Sequence, residues 1–256
     1  MRRFSYLAII IVLCVTLTSC ATTPVKPPLV PAREVYPEIT VPISRQDISH
    51  VVAPGETLWR LSKMYDVSIE DVVRINNLKS RTELEIGQRL LIPNAAPIRP
   101  IVPLYRSNKW KYIIIHHSAT DEGNAMYFNT AHYTRGFWKG LGYHFVIDNG
   151  TKGKLDGQIE VSPRWLKQQD GSHCKAASMN YKGIGICLVG NFSKENVSEE
   201  QMKFLVYLVN TLRDYYNIPV KNILGHGQVP GAKTECPGKN FPWKDFYKRI
   251  QLKTDG

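Results

Sequence analysis

Two proline-rich stretches divide this chain of 256 residues, and they limit what it can fold into more than any other feature. The first stretch covers residues 21–49 and contains six prolines, whereas the second covers residues 94–108 and contains three. Because proline lacks a backbone N–H and has a fixed φ, such stretches favour extended segments over helices and sheets. The sequence therefore predicts a tether at 21–49, a linker at 94–108, and two folded units at 50–93 and 109–252.

The first twenty residues have the layout of a secretory signal. Two arginines precede an apolar run from Tyr6 to Leu17, which is shorter than the roughly 20 residues that a membrane-spanning helix needs. The run ends in Leu-Thr-Ser-Cys at 17–20, which resembles the bacterial lipobox, where the cysteine is lipidated. The resemblance implies that residues 1–20 are a lipoprotein signal peptide with Cys20 as the lipidation site, although a plain signal peptide is the alternative.

The resemblance to a lipobox also implies a location. A lipid on Cys20 would anchor the protein to a membrane of the cell envelope, on the outer membrane or in the periplasm if the organism is Gram-negative. Three cysteines, Cys174, Cys187 and Cys236, would then remain in an oxidising compartment. An odd number of thiols there calls for an explanation, and a metal ligand would be one.

The charge balance predicts an acidic partner. The chain contains 33 Lys and Arg residues against 22 Asp and Glu residues, which gives a net charge of +11. Nucleic acids, anionic membranes and cell-wall polymers are all acidic, so charge alone does not choose among them. Because the chain has no zinc-finger spacing, no aromatic RNA-binding signature and no dense run of Lys and Arg, we expect no nucleic-acid partner.

Residues 50–93 read as a strand, two helices and a closing strand. Ser68 is placed to cap the second helix, whose Val72 and Ile75 we expect to face inward. The first helix has apolar residues at the spacing of one buried face, namely Leu58, Leu61, Met64 and Tyr65.

This unit resembles a LysM domain, a module that binds glycans containing N-acetylglucosamine. The resemblance rests on three segments, which are Pro-Gly-Glu-Thr-Leu at 54–58, Ile-Asn-Asn-Leu at 75–78 and Ile-Gly-Gln-Arg-Leu-Leu-Ile-Pro at 86–93. It implies that loops at 55–58 and 79–84 bind the glycan, with Gly55, Thr57 and Leu58 as contact residues. The alternative is that these three residues only build the fold.

Residues 109–252 alternate predicted strands and helices. Short apolar runs predict buried strands at 112–116, 143–147 and 183–189, the last of which is dense enough to be central. One helix is predicted over 124–138, and another begins at Ser198, where Gln201 completes a capping box. The pattern predicts an α/β domain with a mixed central sheet flanked by helices, preceded by the small βααβ unit.

Histidine spacing alone does not identify a metal site. The chain has seven histidines but no short zinc motif such as His-Glu-x-x-His. Their neighbourhoods are more informative, because the first of them lies where a strand ends, at the edge where open α/β sheets place their sites. Four segments stand out, which are His-His-Ser-Ala-Thr at 116–120, Gly-Tyr-His-Phe at 142–145, Gly-His-Gly-Gln-Val at 225–229 and Thr-Glu-Cys-Pro-Gly at 234–238.

Together with Gly-Ile-Gly-Ile-Cys-Leu-Val-Gly-Asn-Phe at 183–192, these segments resemble the zinc amidases that include phage lysozyme-amidases and peptidoglycan-recognition proteins. The resemblance covers 110–246. It implies a zinc cofactor held by His116, His226 and Cys236. It further implies hydrolysis of the amide bond between N-acetylmuramic acid and L-alanine by zinc-activated water, with peptidoglycan glycan strands and stem peptides as partners.

The same resemblance implies roles for further residues. Tyr143 and Thr234 are the expected catalytic residues, and Lys233 is the substitute for Thr234, because family members carry lysine or threonine two residues before the cysteine. His173 matches a position near the cleft and is expected to contact the substrate. We expect His117 to be structural, because neighbouring side chains on a strand point to opposite faces.

Two other functions stay open. One is a peptidoglycan-binding or sensing lipoprotein with the same fold and no turnover, and the other is a structural anchor between membrane and wall. The presence of both histidines and Cys236 favours the enzyme, because the resemblance implies that inactive relatives commonly lose a zinc ligand. We expect the protein to be a monomer.

Overall fold

The computed structural model describes residues 33–35, 44–82, 84–137 and 139–251. The predicted signal peptide and its Cys20 lie outside these ranges. Within them, no helix combines the length and the apolar character that crossing a membrane requires.

The described residues form strands and helices in the following order. The strands are β1 (Arg33–Val35), β2 (Gln46–Val51), β3 (Arg89–Ala95), β4 (Val102–Leu104), β5 (Tyr112–His117), β6 (Phe145–Asn149), β7 (Asp156–Val161), β8 (Gly183–Leu188) and β9 (Ile223–Gly225). The α-helices are α1 (Leu58–Tyr65), α2 (Ile69–Ile75), α3 (Ala125–Thr134), α4 (Pro163–Leu166), α5 (Met179–Lys182), α6 (Glu199–Tyr216) and α7 (Trp243–Gln251). Short 3-10 turns lie at Ala176–Ser178, Val220–Asn222 and His226–Gln228.

A five-stranded mixed sheet forms the larger unit, with the strand order β7-β6-β8-β5-β9. Strand β8 pairs in parallel with β6 and β5, and β5 pairs in parallel with β9, whereas β7 is antiparallel to β6. The predicted α/β class with a mixed sheet is confirmed, and the glycine-rich strand β8 is central as expected. Parallel strands need both faces covered, which explains why all six residues of β8 are buried.

The two faces of the sheet have different roles. Ile113 and Ile115 of β5 join the main core with Leu205 and Val209 of α6. The residues that alternate with them, including His116, point to the opposite face. Helix α6 begins as predicted, since the full capping box between Ser198 and Gln201 is present. One face of the sheet therefore provides stability and the other provides the site.

Helix α3 is shorter than the predicted helix at 124–138. Asn124 is its N-cap, and its side chain accepts a hydrogen bond from the Tyr127 N–H. The helix ends at Thr134, and Gly136 follows with φ of 83°, a conformation that a helix does not continue.

The LysM-like unit has the predicted order β2, α1, α2, β3, and the predicted face of α1 is buried. Ile75 differs from the expectation, since 43% of it is exposed. It is the last residue of α2, and the Asn76 side chain then donates hydrogen bonds to the carbonyls of Val72 and Leu91. These bonds turn the chain toward β3, so Val72 alone fills the inward position.

The segment at 94–108, predicted as a linker, connects the two units but packs against both of them. Ile101 belongs to the core of the small unit, and the next residue, Val102, belongs to the core of the sheet domain. The Pro103 carbonyl accepts a hydrogen bond of 2.7 Å from Trp165 Nε1. Proline is tolerated in β4 because this strand belongs to a two-stranded sheet, where only one edge must donate.

The predicted tether at 21–49 also contains regular structure. Arg33–Val35 pairs antiparallel with Val102–Leu104, and β2 begins at Gln46 rather than at residue 50. The prolines of this stretch leave short intervals in which the chain still forms strands.

Replacement of Leu205 tests the importance of the α6 contact. Leu205 is fully buried, so Leu205→Ala should lower the free energy of unfolding by about 2–5 kcal/mol, through lost apolar contact and a residual cavity. The measurement is urea denaturation followed by circular dichroism. Leu155→Ala is the matched control, because Leu155 is 45% exposed and should change stability by less than about 0.5 kcal/mol. Equal midpoints for the two variants would contradict the assignment.

Candidate metal centre

The sheet brings two histidines to the same edge. His116 lies near the carboxyl end of β5, and His226 directly follows β9, the parallel neighbour of β5. Because parallel strands end at the same edge, their rings approach to 4.6 Å between centroids. His116 is 1% exposed, whereas His226 is half-buried.

A tight loop brings Cys236 to these histidines. The Gly227 N–H donates a hydrogen bond of 2.7 Å to the Cys236 carbonyl. A Cβ at Gly227 would lie 2.4 Å from the Thr234 carbonyl oxygen, so only glycine permits this approach. The Cys236 Sγ consequently lies 3.7 Å from His116 Nδ1 and accepts a hydrogen bond of 3.3 Å from the His117 N–H.

The three side chains fit a tetrahedral metal ion. The ligand atoms of His116, His226 and Cys236 all lie within 4.8 Å of one another. Zinc bonds of about 2.0 Å to nitrogen and 2.3 Å to sulfur place two tetrahedral ligand atoms about 3.5 Å apart. The observed 3.7 Å between His116 Nδ1 and Cys236 Sγ agrees with that spacing. Three ligands would leave a fourth position open, as in catalytic sites.

His173 determines which nitrogen of His116 is available to a metal. His173 Nε2 lies 3.2 Å from the Gly183 carbonyl, which only accepts, so Nε2 carries the proton. His173 Nδ1 is then an acceptor, and it lies 3.0 Å from His116 Nε2. His116 must therefore donate from Nε2, which leaves the lone pair of Nδ1 facing Cys236.

The prediction that His173 contacts the substrate is wrong for its ring nitrogens. Both are engaged, and His173 is 8% exposed. Its ring lies against Gly185 of β8, where a Cβ would approach within 2.5 Å of His173 Cδ2. The glycine in this dense apolar strand was the sequence signal for a buried ring, and sequence reasoning did not use it.

Burial keeps the two histidines neutral. It lowers the pKa of His116 well below its usual value, with smaller contributions from His173 and His226, and it lowers the pKa of His226 as well. Burial raises the pKa of the Cys236 thiol to about 12. A metal ion would therefore meet two unprotonated imidazoles and would have to displace one proton, from sulfur.

Tyr143 lies beside the cluster as a protonated phenol. Its ring is 5.1 Å from that of His116, and its side chain is half-buried near the Cys187 thiol. Burial raises the pKa of Tyr143 well above 10, followed by the effects of Cys187 and Cys236. The hydroxyl is therefore a hydrogen-bond donor across the neutral range.

Thr234 is exposed at the rim of the cluster. Its Oγ1 accepts a hydrogen bond of 3.2 Å from the Cys236 N–H, which leaves its hydroxyl hydrogen available to donate. Lys233 is also exposed, one residue earlier in the loop.

The remaining histidines near the cluster have structural roles. His117 points to the opposite face from His116, as expected, and its Nδ1 accepts from the Phe192 N–H. His144 accepts from the Gly185 N–H and is fully buried.

The three residues predicted to bind glycan in the LysM-like unit differ in exposure and in structural role. Leu58 is 2% exposed and belongs to the core, so its predicted glycan contact is wrong for the side chain. Thr57 is exposed and caps α1 by accepting from the Arg60 N–H. Gly55 turns the chain with φ of 86° and lies against Leu166 of the larger domain.

Comparison with known proteins identifies the fold unit that contains the cluster. The family model described as N-acetylmuramoyl-L-alanine amidase matches residues 106–239, more than half of the chain. The chain belongs to this amidase family. The model of the LysM domain matches residues 50–93.

Individual relatives of this amidase-family protein cover different parts of it. Peptidoglycan-recognition protein SC2 of Drosophila melanogaster is 29% identical over 152 residues, which is 55% of this chain and 74% of the relative. Probable endopeptidase p60 of Listeria monocytogenes is 35% identical over 79 residues, which is 31% of this chain and only 15% of that protein's length. The solved structure of the N-acetylmuramoyl-L-alanine amidase LysC from Clostridium intestinale is 33% identical and has a TM-score of 0.47, covering 57% of this chain and 90% of that chain.

Substitution of His173 tests its role in orienting His116. His173→Leu removes the acceptor of the His116 Nε2–H, so zinc affinity should fall by about 10–100-fold. The measurement is competition with a chromophoric chelator. His132→Leu is the control, since His132 accepts from the Gly142 N–H and contacts none of the three cluster side chains. Unchanged zinc affinity in a folded His173→Leu protein would contradict the role.

Metal binding should also depend on pH through Cys236. Because the thiol keeps its proton up to a pKa of about 12, zinc binding near pH 6.5 should release about one proton from sulfur, and affinity should rise with pH. The measurement is proton release on adding zinc to the metal-free protein in weak buffer. Cys236→Ala should release none, and equal release from both proteins would rule out the thiol as the source.

Proposed function

We propose that this protein is a zinc-dependent N-acetylmuramoyl-L-alanine amidase that cleaves the bond between N-acetylmuramic acid and L-alanine in peptidoglycan. The observation that carries the proposal is the convergence of His116 Nδ1, His226 and Cys236 Sγ within 4.8 Å at the open edge of the sheet. Membership of the amidase family supports the same reaction.

The three cluster residues would hold the zinc ion. When bound, zinc makes water more acidic and polarises the amide carbonyl. The chain's own contribution begins with His173, which holds His116 in the tautomer that presents Nδ1. The His117 N–H donates to the Cys236 sulfur and stabilises its negative charge.

Two hydroxyl groups are available to stabilise charge on the substrate oxygen. The Tyr143 phenol keeps its proton, and Thr234 has a free hydroxyl hydrogen because its oxygen already accepts from the backbone. Donors aimed at a developing oxyanion are the usual means of lowering the barrier of acyl transfer. We assign Tyr143 and Thr234 this role, with Lys233 as the substitute for Thr234.

The envelope location belongs to the same proposal. A lipid on Cys20, which becomes the N-terminal residue after removal of residues 1–19, would hold the protein at a membrane facing the wall. The LysM domain at 50–93 would bind the glycan strand, and the catalytic domain would act on the stem peptide.

A non-catalytic binding protein is the second candidate. The 29% sequence identity with peptidoglycan-recognition protein SC2 is the observation that favours a binding protein. The complete set of His116, His226 and Cys236 favours the enzyme, because a protein that only binds does not need a metal with an open position.

Removal of one predicted zinc ligand, Cys236, distinguishes the amidase from the binding protein. Cys236→Ala should abolish release of stem peptide from muropeptides, as should a chelator, with recovery after zinc is added to the wild-type protein alone. Mass spectrometry of the separated sugar and peptide is the measurement. Cys174→Ala is the matched control, because it removes a buried thiol outside the cluster. Intact muropeptides with zinc-loaded wild-type protein would support the binding protein instead.

A further inference from the structure

The LysM domain is joined to the catalytic domain by more than the peptide chain. The segment between them lies in both cores, with Ile101 in one and Val102 in the other. The Ala96 N–H and the Arg99 N–H donate to the carbonyls of Tyr65 and Met64 at the end of α1, at 2.9 and 2.8 Å. The connecting segment is therefore held against both domains and does not act as a free linker.

A buried lysine also lies at the interface between the LysM and catalytic domains, which we call the seam. Lys154 is 4% exposed. Its Nζ donates 2.6 Å to the Val51 carbonyl of the LysM domain, and it lies 3.8 Å from Glu56 of that domain and 3.0 Å from Glu160 of its own. A buried charge is stable only when it is paired, and separating the domains would remove the Lys154–Glu56 pair and the Lys154 bond to the Val51 carbonyl, leaving Lys154 with Glu160 alone.

Glu56 receives support from both domains. Its Oε2 lies 2.8 Å from His50 Nε2 and accepts 2.6 Å from the Ala53 N–H. Burial alone would raise the pKa of Glu56, but Lys154 and His50 outweigh it and lower the pKa to about 2. The carboxylate is therefore charged at neutral pH, as the pairing with Lys154 requires.

The two domains also touch at closely fitted backbone positions. A Cβ at Gly153 would lie 2.9 Å from Val51 Cγ2, and one at Gly55 would lie 2.7 Å from Leu166 Cδ1. At a third position, a Cβ at Gly87 of the LysM domain would lie 3.2 Å from Met126 Sδ of the catalytic domain. Contacts at three separate places resist rotation as well as separation.

The seam connects to the catalytic site through one helix. Glu160 Oε1 accepts 2.6 Å from the Ala125 N–H at the start of α3. At the other end, His132 accepts from the Gly142 N–H, and its ring lies 5.7 Å from that of Tyr143. A helix of ten residues spans about 15 Å, so the seam and the metal cluster are a short, fixed distance apart.

We infer that the LysM and catalytic domains work as one rigid body locked at Lys154, and that the preferred substrate is a glycan strand long enough to occupy both domains at once. This inference rests on the proposed amidase function. A strand bound beside the Gly55 turn would reach the cleft in a single orientation, so glycan binding would select which stem peptide is cut. A freely tethered module would only raise the local concentration of wall.

A disulfide between the two domains tests whether they are fixed together as one rigid body. With cysteines at 51 and 153, the two Cβ atoms would lie 3.8 Å apart, which is the mean separation in natural disulfides. Full-length Val51→Cys/Gly153→Cys should form the bond with oxidised glutathione, as seen by mass spectrometry of linked peptides. Oxidised and reduced forms should cleave intact sacculi at rates within about twofold of each other.

Two results would overturn the inference. One is failure of the folded double variant to form the disulfide when Gly153→Ala shows that a side chain is tolerated at this position, where φ is 75°; this failure would mean that the domains are not docked. The other is loss of sacculus cleavage on oxidation with recovery on reduction, which would mean that the LysM domain must move. If the wild-type protein cleaves nothing, the proposed function fails, whereas disulfide formation still reports on docking.

A single substitution at the seam gives a second test that perturbs the fold less than the double cysteine variant. Glu56→Gln leaves the Lys154–Glu160 pair inside the catalytic domain, keeps a side-chain oxygen that can accept from the Ala53 N–H, and weakens the contact with Lys154 across the seam and the contact with His50. It should speed hydrogen exchange at 96–104 by tenfold or more, and it should slow cleavage of sacculi but not of soluble muropeptides. Glu70→Gln, at an exposed acid on the same domain, is the control and should do neither. Unchanged exchange in Glu56→Gln would contradict the lock.

Discussion

The parallel pairing of β5 with β8 and β9 is the constraint on which the site depends. It places His116 and His226 at one edge, although 110 positions separate them in the chain. The Cys236 loop then needs only a short turn after β9 to close the group. Because neighbouring side chains on a strand alternate, the same pairing sends Ile113 and Ile115 into the core beneath α6.

Two clusters of buried polar groups draw partners from distant parts of the chain. At the metal cluster, His173 bonds His116 on one side and the Gly183 carbonyl on the other. At the seam, Lys154 joins groups of both domains. Such networks stabilise a single arrangement only when every member is satisfied, and losing one partner is costly.

Asp148 shows how the seam balances its charge. It is fully buried, and burial, with the neighbouring Glu160, raises its pKa well above the usual value. A neutral Asp148 has a proton to donate toward Glu160, whose Oε2 also lies 3.0 Å from Lys154 Nζ. Lys154 then faces two charged carboxylates, those of Glu56 and Glu160, rather than three.

Local patterns in the sequence identified much of the structure correctly. The capping box at Ser198, the buried face of α1 and the central position of β8 follow from side-chain spacing and composition, which act over a few residues. The segments around His116, His226 and Cys236 were found from a resemblance. The errors arose where contacts are distant, since the proline-rich segment at 94–108 is held by two cores that the sequence does not show.

What the sequence determined by itself was the order of the LysM-like unit, three strands and two helices of the larger unit, and the likeness to a family, because these depend on residues close together in the chain or on matched segments. Only the tertiary structure decided that His173 stands behind His116 rather than in the cleft, and that Lys154 pairs with Glu56 across a domain boundary. Hydrogen bonds and ion pairs depend on distances of about 3 Å. Such distances between residues 57 and 98 positions apart exist only after the sheet and both cores have formed.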